Sequence, residues 1–163
     1  MVIEGGAPTI PLRRGNHWQQ PRRVSAHDKI IPATALNRWR AEQRAAGRRV
    51  VVTNGCFDLL HAGHVTYLES AASQGDLLLV GVNDDAGVRE LKGPTRPLNH
   101  EGDRALVLAA LASVGAVSIF HGSTATEFLR TAQPDVYVKG GDYKVETLNQ
   151  DTKSTLCGTF VTH

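Results

Sequence analysis

The chain has 163 residues, 41% of them hydrophobic and 21% charged, enough for one packed core and short for two substantial domains. Two cysteines far apart in the chain, Cys56 and Cys157, exclude a disulfide scaffold and a CxxC pair, and predict reduced thiols. The formal net charge of +2 conceals a division: residues 1–49 carry ten Lys/Arg against three Asp/Glu, whereas residues 50–163 carry eight against thirteen.

Residues 1–30 are rich in Pro, Gly and Arg without apolar periodicity and are predicted to form a poorly ordered basic arm. Clustered cations can replace phosphate counterions. Here, however, Arg13, Arg14, Arg22 and Arg23 come as separated pairs with only Trp18 as a nearby aromatic, so no nucleic-acid partner is expected. The first residues, MVIEGGAPTIPLRRGNHW, lack the charged start and apolar stretch of a secretory signal, and no window holds the roughly 18 apolar residues of a bilayer span. The expectation is a cytoplasmic protein without membrane contact.

From residue 31 to 163 a single domain is expected. Residues 33–46 place Leu36, Trp39 and Gln43 on one face among good helix formers, with Gly47 suited to the position past the helix end. Alternation then begins. Runs rich in Val, Leu and Ile at 49–53, 76–82, 116–120 and 135–139 predict buried strands, and the segments 63–74, 84–91, 101–113 and 124–132 predict helices between them. Buried strands separated by helices make an α/β fold, a parallel sheet with helices on both faces. The closing CGTFVTH reads as the beginning of a further strand.

Ligands of such sheets sit beyond the carboxyl ends of the strands. The first of these rims carries TNGCFDLLHAGH, residues 53–64. Asn54 and Gly55 permit a sharp turn that exposes amide hydrogens, and Gly63 opens a helix whose first N–H groups are unpaired and whose dipole favours an anion. His61 and His64, three apart, can face one ligand. Competing readings are a capping and packing pair, a metal site with Cys56, and a Cys56 nucleophile. The metal site lacks a second ligand pair at zinc spacing, and the nucleophile lacks the Gly-x-nucleophile-x-Gly elbow. Phosphate binding alone uses the glycines, the helix start and both histidines. The P-loop pattern is absent, and no GxGxxG follows the first strand.

Two later loops return to the same rim. ELKGPTRP, residues 90–97, offers Lys92 as a cation able to close over a triphosphate, and Arg96 as a fork for a second phosphate. VKGGDY, residues 138–143, follows the fourth strand; Gly140 and Gly141 permit close backbone approach, and Lys139, Asp142 and Tyr143 can contact nucleotide or sugar. Asp58 is read as bracing its own turn, and Asp84 and Asp85 as acidic caps of a helix.

GCFDLLHAGH resembles the signature of the cytidylyltransferase-like nucleotidyltransferases, a Gly-x-Phe-Asp stretch followed by His-x-Gly-His. Together with VGVNDDAGVRELKGPTRPLN, DRALVLAALASV and DVYVKGGDY it is similar to the adenylyltransferase module of ADP-heptose synthases, from about Lys29 to Leu148. The resemblance implies a Rossmann-like HxGH nucleotidyltransferase fold. It also implies adenylyl transfer from ATP, with Mg²⁺, to D-glycero-β-D-manno-heptose 1-phosphate, giving ADP-heptose and pyrophosphate. By the resemblance His61, His64 and Lys92 are catalytic. Thr53, Asn54, Gly55, Cys56, Phe57, Asp58, Gly63, Lys139, Gly140 and Asp142 bind nucleotide, Arg96, Arg104 and Tyr143 bind the acceptor, and no protein metal site is needed. The family's carboxyl-terminal Ser-Thr-Thr segment has no counterpart, since KST at 153–155 and GST at 122–124 read as turn or cap chemistry. A homodimer and a separate or fused sugar kinase are the expected partners. The alternatives are CTP-dependent transfer to glycerol or ethanolamine phosphate, and a nucleotide-binding protein without catalysis.

Overall fold

The computed structural model describes residues 24–140 and 160–162. After two single 3-10 turns, His27–Lys29 and Ala33–Ala35, the order is α1 (Leu36–Ala45), β1 (Val50–Gly55), α2 (Ala62–Ala72), β2 (Leu77–Asn83), α3 (Asp85–Lys92), α4 (Glu101–Ala109), β3 (Ala116–Phe120), α5 (Thr126–Ala132), β4 (Val136–Lys139) and β5 (Phe160–Thr162). The five strands form one parallel sheet in the order β3-β2-β1-β4-β5. The four expected strands are present within two residues of their predicted limits, and the closing segment supplies β5, in register with β4 from Tyr137 opposite Phe160.

Period-two alternation distributes the core over both faces. Val51, Leu78, Val80, Val117 and Val138 pack with Leu68 of α2 and Leu108 of α4. Val50, Val52, Leu79 and Tyr137 turn to the other face and pack with Leu36 of α1 and with Phe128 and Leu129 of α5. All of these side chains are at most 5% exposed, and burying each stabilises the fold by about 1.5–3 kcal/mol. The spacing is tight: a Cβ on Gly81 of β2 would lie 2.5 Å from the Phe128 ring.

The chain moves outward from β1 through β2 to β3 along one face, then crosses by α5 on the opposite face to β4 on the far side of β1. Right-handed crossovers in opposite directions put their helices on opposite faces. The direction of winding therefore reverses between β1 and β4, which opens a crevice at their carboxyl ends, the position where such sheets bind ligands.

Two differences from the sequence-based expectation have clear causes. Residues 27–30, assigned to the arm, pack on the domain. Ile30 forms a parallel bridge with Val117, and the Lys29 ammonium donates to the carbonyls of Leu111 and Val114 just beyond α4. On α1 the buried face holds Arg40 beside Leu36 and Gln43, with Trp39 only partly covered. Arg40 tolerates burial because its guanidinium donates to the Gln133 carbonyl and pairs with Asp135 at 2.8 Å.

Candidate active site

β1 delivers its last residues, Asn54 and Gly55, to the crevice. Phe57 then adopts φ of 45°, the left-handed region, while its ring is buried in the core. A non-glycine residue in that region costs about 1–2 kcal/mol and persists only where its surroundings enforce it. The ring packs edge-on to His64 with centroids 5.3 Å apart.

His61 occupies the N-cap of α2 without capping through its side chain. The imidazole is thereby left for the cleft, and it lies 3.9 Å from that of His64, centroid to centroid, with planes tilted by 32°. The glycines of the signature make room for these rings. A Cβ on Gly63 would come within 3.1 Å of His61, and one on Gly55 within 3.1 Å of Phe57. Close approach of the rings, rather than backbone freedom alone, accounts for both glycines.

Burial lowers the His64 pKa below its ordinary 6.5, and the neighbouring charges of His61 and Lys92 push it in the same direction. The ring is therefore neutral at pH 7. Its buried Nδ1 has no partner among the described residues.

Two adjoining cavities meet at this pair. The larger, of about 880 Å³, is lined by Asn54, Gly55, Cys56, Phe57, His61, Gly63 and His64, by Thr66, Tyr67 and Asn83, and by Leu91, Lys92, Ser123, Lys139 and Gly140. The smaller, of about 610 Å³, is lined by Phe57, Asp58, Leu59, His61, His64, Lys92 and Arg96. Phe57, His61, His64 and Lys92 border both. Cationic or hydrogen-bonding side chains on a shared wall can neutralise an anionic centre approached from either side.

Two of the expected site residues stand outside both cavities, and a third borders the smaller one with its side chain committed to internal partners. Arg104 was assigned to the acceptor, but its side chain is 1% exposed and borders neither cavity. It donates to the carbonyls of Asn99, Cys56 and Asn83 and pairs with Asp85 at 2.7 Å. A guanidinium with so many internal acceptors has no fork left to offer a phosphate. Thr53 is fully buried beneath the cleft, where its hydroxyl meets Tyr67 Oη at 2.6 Å.

Asp58, assigned to nucleotide, is buried and holds a different loop from its own. It accepts from the Leu98 and Asn99 amides and pairs with Arg96 at 2.7 Å. Burial alone would raise its pKa; the Arg96 hydrogen bond and the two amides outweigh that and hold it below 3.8. Arg96 stays on the smaller cavity, with its charge partly balanced by Asp58. Asp142 and Tyr143 lie outside the described residues.

Thr66, Tyr67, Asn83, Leu91 and Ser123 line the cleft without having been singled out. Tyr67 sits three residues after His64 on the same helical face, and its hydroxyl donates to the Val138 carbonyl, joining α2 to the end of β4. Asn83 ends β2 at the rim, where strand ends meet ligands. Asp84 caps α3 as expected, accepting from Gly87 N, and also holds His121 at 2.9 Å.

Among the described residues no three His, Cys, Asp or Glu converge to hold a metal ion. The nearby carboxylates of Asp58, Asp84 and Asp85 are all committed to internal partners. The described residues therefore do not form a cage for Mg²⁺. No helix among them is long and apolar enough to cross a membrane.

Residues 52–158 match the family described as cytidylyltransferase-like. The chain is 54% identical over 148 residues to the bifunctional protein HldE of Syntrophotalea carbinolica, covering 91% of this chain and 30% of that protein. It is 55% identical over 145 residues to the HldE of Nitratiruptor sp., covering 88% and 31%. The chain thus spans under a third of the length of these curated relatives. Among solved structures, a lipopolysaccharide core biosynthesis protein from Thermoplasma volcanium superposes with a TM-score of 0.63 at 26% identity, over 71% of this chain and 96% of that one. A pantoate-beta-alanine ligase from Francisella tularensis shares the fold, with a TM-score of 0.58 at 13% identity over 82% and 66% of the two chains.

Proposed function

The chain belongs to the cytidylyltransferase-like family, and from that premise we propose that it transfers the adenylyl group of ATP to D-glycero-β-D-manno-heptose 1-phosphate. An oxygen of the sugar phosphate attacks the α-phosphorus. The bond from that phosphorus to the bridging oxygen breaks, its electron pair leaves with pyrophosphate, and ADP-heptose remains. The attacking oxygen is already ionised at pH 7, because the second pKa of a phosphate monoester lies near 6. No protein base is required.

Two anions must then be brought together and the charge building on the oxygens around the α-phosphorus must be met. The observation that carries the reading is the wall common to the two cavities. ATP in the larger and the acceptor phosphate in the smaller would meet at His61, His64 and Lys92. Neutral His64 can donate one hydrogen bond, and a bound triphosphate would favour its protonation. Lys92, at the last residue of α3, supplies a mobile charge on the same side. Magnesium would arrive on the phosphate oxygens of ATP with its own waters, consistent with its preference for such ligands.

The choice of ATP and a heptose phosphate is supported by the identity to proteins named HldE and by the notable likeness to a protein of lipopolysaccharide core biosynthesis. The relatives' name denotes two functions and this chain matches under a third of their length, which supports a sugar kinase as the separate or fused companion. Pyrophosphate release measured over a grid of nucleotides and acceptors is the test. ATP with the heptose 1-phosphate should give the highest kcat/KM. Preference for CTP with glycerol or ethanolamine phosphate, or nucleotide binding without turnover on any acceptor, would replace this reading.

A further inference from the structure

We infer that Arg104 is a positioning residue that sets the geometry of the cleft from outside it, by holding the Cys56 carbonyl and with it the strained backbone at Phe57. The inference rests on the proposed nucleotidyl transfer for its effect on rate, and on the geometry alone for its effect on the loop.

Arg104 lies in the first turn of α4 and joins three rim segments that are distant in sequence. One guanidinium nitrogen holds the Cys56 carbonyl in the signature loop, and another holds the Asn83 carbonyl at the end of β2 together with Asp85 at the start of α3. Nε donates to the Asn99 carbonyl at 3.0 Å, at the end of the loop that carries Arg96. Lysine cannot reproduce this, because its ammonium is a single point with no planar fork.

The carbonyl and the N–H of one trans peptide point in opposite directions. With the Cys56 carbonyl drawn to the Arg104 guanidinium, the Phe57 N–H of the same peptide points away from Arg104. That N–H has no acceptor among the described residues. The φ of 45° at Phe57 is the backbone cost of this orientation. The loop is held against relaxation by Arg104 at the Cys56 carbonyl, together with the burial of the Phe57 ring and the bonds of Asp58 to Arg96, Leu98 and Asn99. Its slip would shift His61 and His64, which follow within seven residues of Phe57, and a misplacement near 1 Å can cost on the order of 10²-fold in rate.

The test uses the full chain, isotopically labelled, as wild type, Arg104→Met, Arg104→Lys and Arg40→Met. Arg40 is an equally buried guanidinium paired with a carboxylate, placed at the amino end of β4 away from the rim, and controls for general loss of stability. The coupling between the Phe57 amide and α protons reads its φ directly, and pyrophosphate release gives kcat and KM. In Arg104→Met the Phe57 coupling should move toward the extended value and kcat should fall on the order of 10²-fold, with a smaller change in KM for ATP. Arg40→Met should leave both at wild-type values, and Arg104→Lys should recover only part of kcat. Should Arg104→Met fail to fold, Arg104→Lys carries the same two readings. An unchanged Phe57 coupling in the Arg104 variants, or an equal fall in kcat for Arg40→Met, overturns the inference. The coupling needs no substrate, so absence of turnover by the wild type would count against the proposed function alone.

Discussion

The imidazoles of His61 and His64 lie 3.9 Å apart, centroid to centroid, at the first turn of α2, on the wall that two cavities share. One ring enters from the N-cap and the other from the helix itself, and a glycine between them leaves the space. Replacing His64 by alanine should lower kcat by about 10²-fold or more, the usual loss when a preorganised donor to a transition-state oxyanion is removed. KM for ATP should change less, since the remaining cleft still binds nucleotide. Steady-state pyrophosphate release checks this, and a wild-type kcat in His64→Ala would remove the histidine from the chemistry.

The same pair makes the ligand-free protein sensitive to mild acid. The folded-state pKa of His64 lies below its ordinary 6.5 because of burial first, then the charges of His61 and Lys92. Between those two values the unfolded chain binds a proton that the folded chain refuses, so stability rises with pH across that window. It is fully present above about 6.5 and declines as pH falls below it. Thermal unfolding between pH 5 and 8 should show the decline, and His64→Gln should flatten it; identical profiles for the two chains would contradict the assignment.

Asp58 gives a second loss of stability at lower pH, and a structural prediction. Its carboxylate is held below 3.8 although burial opposes ionisation, so its contribution is present above 3.8 and is lost as pH falls through the lower folded value. Asp58→Ala strands the Leu98 and Asn99 amides and should cost about 1–3 kcal/mol, read by chemical denaturation. Because Arg96 loses its partner on the smaller cavity, KM for the acceptor should change more than KM for ATP. Equal changes in both would place Arg96 outside acceptor binding.

Much of this was legible in the sequence because it rests on short-range patterns. Runs rich in Val, Leu and Ile set the strands, and the rim rule set residues 53–64 beside the loop 138–143, of which Lys139 and Gly140 border the cleft. What escaped was long-range. Arg104 at the start of a helix reads the same whether it faces solvent or three carbonyls, and those carbonyls come from Cys56, Asn83 and Asn99. Arg40 was hidden for the same reason, its partners Gln133 and Asp135 being far along the chain. Asp58 was assigned a local turn, whereas the chain supplied better donors forty residues later.

Tyr67 is the cleft residue whose removal should separate support from chemistry. Its hydroxyl meets Thr53 Oγ1 and donates to the Val138 carbonyl, and its ring stands where a side chain on Gly140 would otherwise project. Tyr67→Phe keeps the ring and should lower stability by about 1 kcal/mol with kcat within a few-fold of wild type, measured by denaturation and turnover in parallel. A loss of kcat as large as that of His64→Ala would give the phenol a direct part in the reaction.

In the proposed reaction the triphosphate lies against the paired imidazoles with its α-phosphorus at the boundary of the two cavities. A crystal structure of the chain with magnesium and a non-hydrolysable ATP analogue reads this directly. Oxygens of the α- or β-phosphate are expected within about 3 Å of nitrogens on His61 and His64, with the base between β1 and β4. Nucleotide seated elsewhere, or the two rings gripping a transition metal with no phosphate near them, would contradict it.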